Sequence, residues 1–150
     1  MAQNSFRTYK GKWLLKKVTL TASVAAVEKG DLIGIAVAAD AGKALGTSSS
    51  ASIVGIAAED SALSTSTRDI HVWVPNEPKA EMIGRITDGV AVVGTDVDRN
   101  CDLESHEGVD VDTDGHHHLL LVEVTIACAD AGVGQGIFRI VQTPEYTGGW

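Results

Sequence analysis

The run Asp110-Val111-Asp112-Thr113-Asp114-Gly115 carries the most site-like chemistry in this chain. It matches the first half of a calcium loop, where carboxylates converge on a hard cation and glycine makes the sharp turn. The second half departs from the pattern. His117 stands where an apolar residue belongs, and Leu121 where a bidentate glutamate belongs. The flanks also read as strands rather than helices. His116, His117 and His118 follow at once. Consecutive strand residues point to opposite faces, so at most His116 and His118 can share an ion, with His71 or Asp114 as a further ligand. Asp110, Asp112, Asp114, His116 and His118 are thus the metal candidates of a metal-dependent reading. The bland alternative is an acidic, solvated hairpin running into a polar strand start. It is preferred, so no metal and no cofactor are expected.

Catalytic patterns are sparse. Serines cluster at 48–50 and 61–66 in small-residue loops, without a nucleophile elbow. Cys101 and Cys128 fit no zinc or redox spacing and read as free thiols. No phosphate loop or dinucleotide fingerprint is present. The expectation is a protein that is not an enzyme.

The elements that would position these residues read as strands. The 150 residues fit one domain, with 16 glycines and an apolar set rich in Val, Ile and Ala. Alternation is clean at Lys17–Val24, with Val18, Leu20, Ala22 and Val24 on one face. It recurs at Ile70, Val72 and Val74, which Pro75 ends. Further strands are expected at Leu32–Ala39, Ala44–Gly46, Ile53–Ala58, Glu81–Thr87, Gly89–Gly94, around Val109–Val111, at Leu119–Cys128 and at Ile137–Gln142. Asp88-Gly89 is read as a hairpin turn. Leu120, Val122, Val124, Ile126 and Cys128 are assigned to the core face of the Leu119 strand. Gly34 and Gly55 are read as points where another backbone approaches closely. The Ile33-Gly34-Ile35-Ala36 segment echoes Val54-Gly55-Ile56-Ala57, too briefly to define a repeat. The fold class expected is all-β: a small β-barrel, β-tulip-like or β-sandwich body with an extended N-terminal arm. The boundaries are a basic arm at 1–16, a body at 17–143 and a tail at 144–150.

Charge is divided unevenly. Residues 1–27 hold five cations (Arg7, Lys10, Lys12, Lys16, Lys17) and no acid, whereas residues 28–150 carry a net charge of −13. Such an acidic body repels nucleic acid and anionic lipid, so neither is an expected partner. The basic segment suits an acidic partner or a neighbouring copy of the chain. With no apolar signal segment and no long apolar run, the chain is expected to be soluble and made in the cytoplasm.

The order of several segments resembles the capsid decoration, or cement, proteins of tailed bacteriophages. The segments are Glu28-Lys29-Gly30-Asp31-Leu32, Val54-Gly55-Ile56-Ala57, His71-Val72-Trp73-Val74-Pro75, Val93-Gly94-Thr95 with the acidic stretch after it, and Phe138-Arg139-Ile140. The resemblance implies a homotrimer on the outer surface of a phage head, bound to the major capsid protein and stabilising contacts between capsomers. Contact residues would then be Phe6, Arg7, Tyr9, Lys10, Lys12 and Trp13 in the arm, and Tyr146 and Trp150 in the tail. Deleting residues 1–13 is expected to weaken binding and leave the body folded. The alternative is an oligomeric β-sandwich binding module, carbohydrate-binding or tail-associated, with Trp73 or Trp150 as its aromatic platform.

Overall fold

A computed structural model describes residues 6–21, 24–35, 43–47, 50, 52–91, 93, 98–112, 118–127 and 133–141. Eleven strands run through them: β1 (Phe6–Lys10), β2 (Trp13–Leu20), β3 (Leu32–Ile35), β4 (Lys43–Leu45), β5 (Ser52–Ala57), β6 (Arg68–Pro75), β7 (Glu81–Asp88), β8 (Arg99–Ser105), β9 (Gly108–Asp110), β10 (Leu119–Ile126) and β11 (Gly134–Ile140). The protein is all-β, as the alternation and turn residues predict. Its body is two small closed barrels rather than one.

The first barrel closes in the order β2-β4-β3-β5-β6, with β6 returning to β2. The second closes as β7-β9-β8-β10-β11, with β11 returning to β7. These are the same topology, each strand matched to the one five places later. The agreement extends to strand direction: β2–β4 and β7–β9 are the parallel pairs, and every other pair is antiparallel. Matched strands begin at Trp13 and Glu81, Leu32 and Arg99, Lys43 and Gly108, Ser52 and Leu119, Arg68 and Gly134. The near-constant offset makes the chain a tandem duplication of one barrel plan. Closure in both halves removes most of the sheet edge that would otherwise invite aggregation.

Burial explains why β3 and β5 read as continuous apolar runs. Ile33 and Val54 fill the first barrel with Val18, Leu20, Ile70, Val72 and Val74. Leu32, Ile53 and Ile56 face the other way and join the core of the second barrel, with Met82, Ile86, Leu103, Leu119, Leu121 and Phe138. Two strands buried on both faces thus weld the barrels together, each fully buried side chain contributing about 1.5–3 kcal/mol. Backbone bonds cross the same seam: Leu32 N–H donates to His106 O at 3.0 Å.

Residues 6–16 do not form a separate arm. β1 pairs antiparallel with β7 of the second barrel, Phe6 opposite Gly84, and β2 pairs with β6 of the first, Trp13 opposite Pro75. The turn between them uses Gly11 at φ 84°, a conformation glycine adopts without a Cβ penalty. It lies against the β6–β7 connection, where Asn76 N–H donates to Lys12 O at 2.8 Å. The N-terminal segment is therefore a strap running along both barrels. Phe6 anchors it, 1% exposed in the second core. A segment with one buried apolar residue and no period offered little to read as a strand.

Three further expectations are corrected. Arg99–Ser105 is a strand, not part of an acidic loop; Cys101, Asp102 and Leu103 are all buried in it. Asp88-Gly89 does not join two hairpin strands: β7 ends at Asp88, and Val111 N–H donates back to Asp88 O. On β10, Val124 is buried as expected, but its core companions are Leu119 and Leu121, whereas Leu120, Val122 and Ile126 turn outward to differing degrees; Cys128 lies outside the described residues. A register irregularity between Leu121 and Glu123 shifts the alternation by one residue and exchanges the faces.

Candidate functional site

The sequence-predicted contact residues divide by strand alternation. Phe6 points into the core, whereas Arg7, Tyr9 and Lys10 lie on the exposed side or end of β1. Lys12 is exposed, and Trp13 is half-buried against the second core, its Nε1–H donating to Lys10 O at 3.1 Å. Lys10 Nζ stands 5.1 Å from the centre of the Tyr9 ring, within cation–π range. Beyond the turn, Leu14 and Leu15 are 47% and 52% exposed, and Lys16 and Lys17 are exposed beside them. Strand residues normally alternate between core and solvent; here four consecutive residues of β2 face solvent before Val18 enters the barrel. The strap thus exposes three apolar side chains, Tyr9 on β1 and Leu14 and Leu15 on opposite faces of β2, in a segment rich in cations. Sequence reasoning missed Leu14 and Leu15, which it placed in the arm without a role. Tyr146 and Trp150 lie outside the described residues.

A cleft of about 270 Å³ opens between β1 and the first barrel, with Arg7 and Lys29 at its lining and Trp73 as its aromatic wall. Trp73 is half-buried and packs on the core, so it does not stand out as an exposed platform. Arg68 holds the neighbouring segment in place: Nε donates to Ser61 Oγ, Nη1 to Val24 O and Nη2 to Ala25 O, at 2.6, 3.0 and 2.8 Å.

Among the described residues, the metal candidates Asp110, Asp112 and His118 are not gathered into one ligand set. Asp110 Oδ1 accepts from Asp112 N–H at 3.0 Å, and Asp112 stands 3.6 Å from Arg99 Nη1 and accepts from Val90 N–H. His118 is buried at the seam between the barrels. Its Nδ1 accepts from Leu103 N–H at 3.1 Å, which leaves the proton on Nε2, facing Ser50 O. Both ring nitrogens are thus committed to the fold. Asp114 and His116 lie outside the described residues. The structure instead gathers Asp31, His106 and Glu107, whose donor atoms all lie within 4.8 Å of one another. Asp31 comes from the turn before β3 and the other two from the β8–β9 turn. Nothing in the local sequence of either turn signals this meeting.

Cys101 is a free, buried thiol. Burial pushes its pKa up to about 12; Asp102, Asp110 and Asp112 add to the rise and Arg99 opposes it. The thiolate, not the thiol, is the nucleophile that attacks an alkylating reagent such as iodoacetamide and displaces its iodide. In the native protein at neutral pH, Cys101 should therefore resist iodoacetamide and become labelled only on unfolding, as read by peptide mass mapping; rapid native labelling would contradict its placement.

A scan of protein-family models, a search of curated proteins and a search of solved structures each find no match to this chain.

Proposed function

We propose that this chain is a structural decoration protein of a tailed-phage head, binding the major capsid protein on the outer surface and holding neighbouring capsomers together as a homotrimer. The observation that carries the reading is the strap, which exposes Tyr9, Leu14 and Leu15 in the segment that also carries Arg7, Lys10, Lys12, Lys16 and Lys17, on a chain whose residues 28–150 are strongly acidic. Exposed apolar side chains supply contact energy when a partner covers them. The surrounding cations favour an acidic partner surface and disfavour a basic one. Several such contacts in one trimer bind by avidity, even where each is weak. The double barrel and its strap suit a part that bears load rather than one that turns over a substrate. The order of sequence segments, which resembles that of cement proteins, agrees with this role.

Co-sedimentation with expanded heads of the parent particle tests it. Wild type should pellet to a saturating stoichiometry, and light scattering should give the mass of a trimer. Leu14→Asp with Leu15→Asp should remove most of the pelleting, and raised salt should weaken wild-type binding. A strict monomer that never co-sediments would overturn the reading.

A further inference from the structure

We propose that Asp31, His106 and Glu107 form a zinc site that fastens the first barrel to the second. The donor set is one imidazole nitrogen and two carboxylate oxygens, contributed by two turns from different barrels. Zinc takes both donor types at about 2.0–2.2 Å in a four-coordinate site, and the fourth position here is left for water. Calcium prefers about six to eight oxygen donors and suits this group poorly.

The geometry is close to what the ion needs. Donors around a tetrahedral zinc stand roughly 3.3–3.6 Å apart, given those bond lengths. His106 Nε2 and Glu107 Oε1 already stand 3.5 Å apart, and all three donors fall within 4.8 Å. Closing the site takes rotation of the two side chains that are partly exposed, towards one that is fixed. Asp31 is that fixed member. Its N–H donates to Glu28 O, its carbonyl accepts from Ala57 N–H, and its Oδ2 accepts from Glu28 N–H at 2.8 Å. A ligating carboxylate oriented by its own backbone hydrogen bond is the usual support of a metal site. The opposite turn is held as well: His106 O accepts from Leu32 N–H, and Glu107 N–H donates to Ser105 Oγ at 3.2 Å.

A second observation points independently to a cation. Asp31 is 2% exposed, and no lysine or arginine among the described residues forms an ion pair with it. A buried carboxylate without a counter-charge is costly. A divalent ion at the point where Asp31, His106 and Glu107 converge neutralises this excess of negative charge. Because the ion binds only when both turns are in place, its binding free energy adds to the stability of the joined barrels.

The test uses the full chain, stripped with a chelator and titrated with zinc sulfate in a calorimeter, with thermal melting in parallel. The expected result is one equivalent bound per chain and a rise in melting temperature that chelator reverses, with calcium giving no rise. His106→Ala and Glu107→Gln should each lose the equivalent and the rise. Both should stay folded without metal, since the tie between the turns runs through the His106 carbonyl. Pairing His116→Ala with His117→Ala should leave binding intact. Absence of saturable binding, unchanged binding in His106→Ala, or loss of binding in the His116 and His117 variant would each overturn the site, the last by assigning the zinc to the histidine run.

Discussion

Phe6→Ala should lower the unfolding free energy by about 3–5 kcal/mol, the range for removing a fully buried aromatic ring. Against a typical total of about 5–15 kcal/mol, that leaves a marginal protein. The ring sits in the second barrel's core, and a Cβ built on Gly84 would come within 2.6 Å of it, so strand and ring are closely fitted. Phe6 N–H also donates to Gly30 O at 3.1 Å, tying β1 to the first barrel. Loss of the ring should therefore loosen the whole strap, with faster hydrogen exchange in β1 and in Glu81–Gly84. Urea unfolding measures the free energy; a loss under about 1 kcal/mol would mean that β1 is not part of the cooperative core. Arg7→Ala and Tyr9→Ala, on the outer face of the same strand, should change stability by no more than about 0.5 kcal/mol. Neighbouring residues thus separate folding from binding. Deleting residues 1–13, expected from sequence to leave the body intact, should instead destabilise it, because the deletion removes Phe6 and half of the strap.

Gly55→Ala should be comparably damaging, by about 3 kcal/mol or more. A Cβ at Gly55 would lie 2.1 Å from the carbonyl oxygen of Trp73, 2.9 Å from Val72 Cγ1 and 3.0 Å from the Trp73 carbonyl carbon. The obstacle is mostly backbone, so no rotamer change relieves it. β5 would have to move away from β6, breaking the Ile56–Trp73 and Ala57–Val72 pairing that closes the first barrel. Since β5 also presents Ile53 and Ile56 to the second barrel, the disturbance should reach both. Circular dichroism during thermal melting checks this; a melting temperature within a degree or two of wild type would show that the close approach is not real.

The legibility of this fold follows from period. Val18 with Leu20, and Ile70 with Val72 and Val74, alternate without interruption and were readable as half-buried strands. Gly55 was readable as a close approach, since a glycine inside an apolar strand has few other causes. β8 was not readable, because its alternation is only two apolar residues long, Cys101 and Leu103, set in an acidic run in which even Asp102 is buried. In β10 the strand was evident but its face was not, since two register irregularities against β11 interrupt the alternation. The duplication left almost no trace in residue types. Topology is set by which surfaces are buried, and different apolar residues fill equivalent positions in the two barrels. The Asp31, His106 and Glu107 cluster depends on contacts between distant segments, which spacing along one element does not encode.

The most direct measurement is electron cryomicroscopy of expanded heads saturated with the protein. The account predicts trimeric protrusions on the outer surface of the shell, each protomer resolved as two small barrels, with Tyr9, Leu14 and Leu15 of β1 and β2 against the major capsid protein. A shell left bare at saturating protein, or protomers bound with all three of these side chains facing solvent, would contradict it.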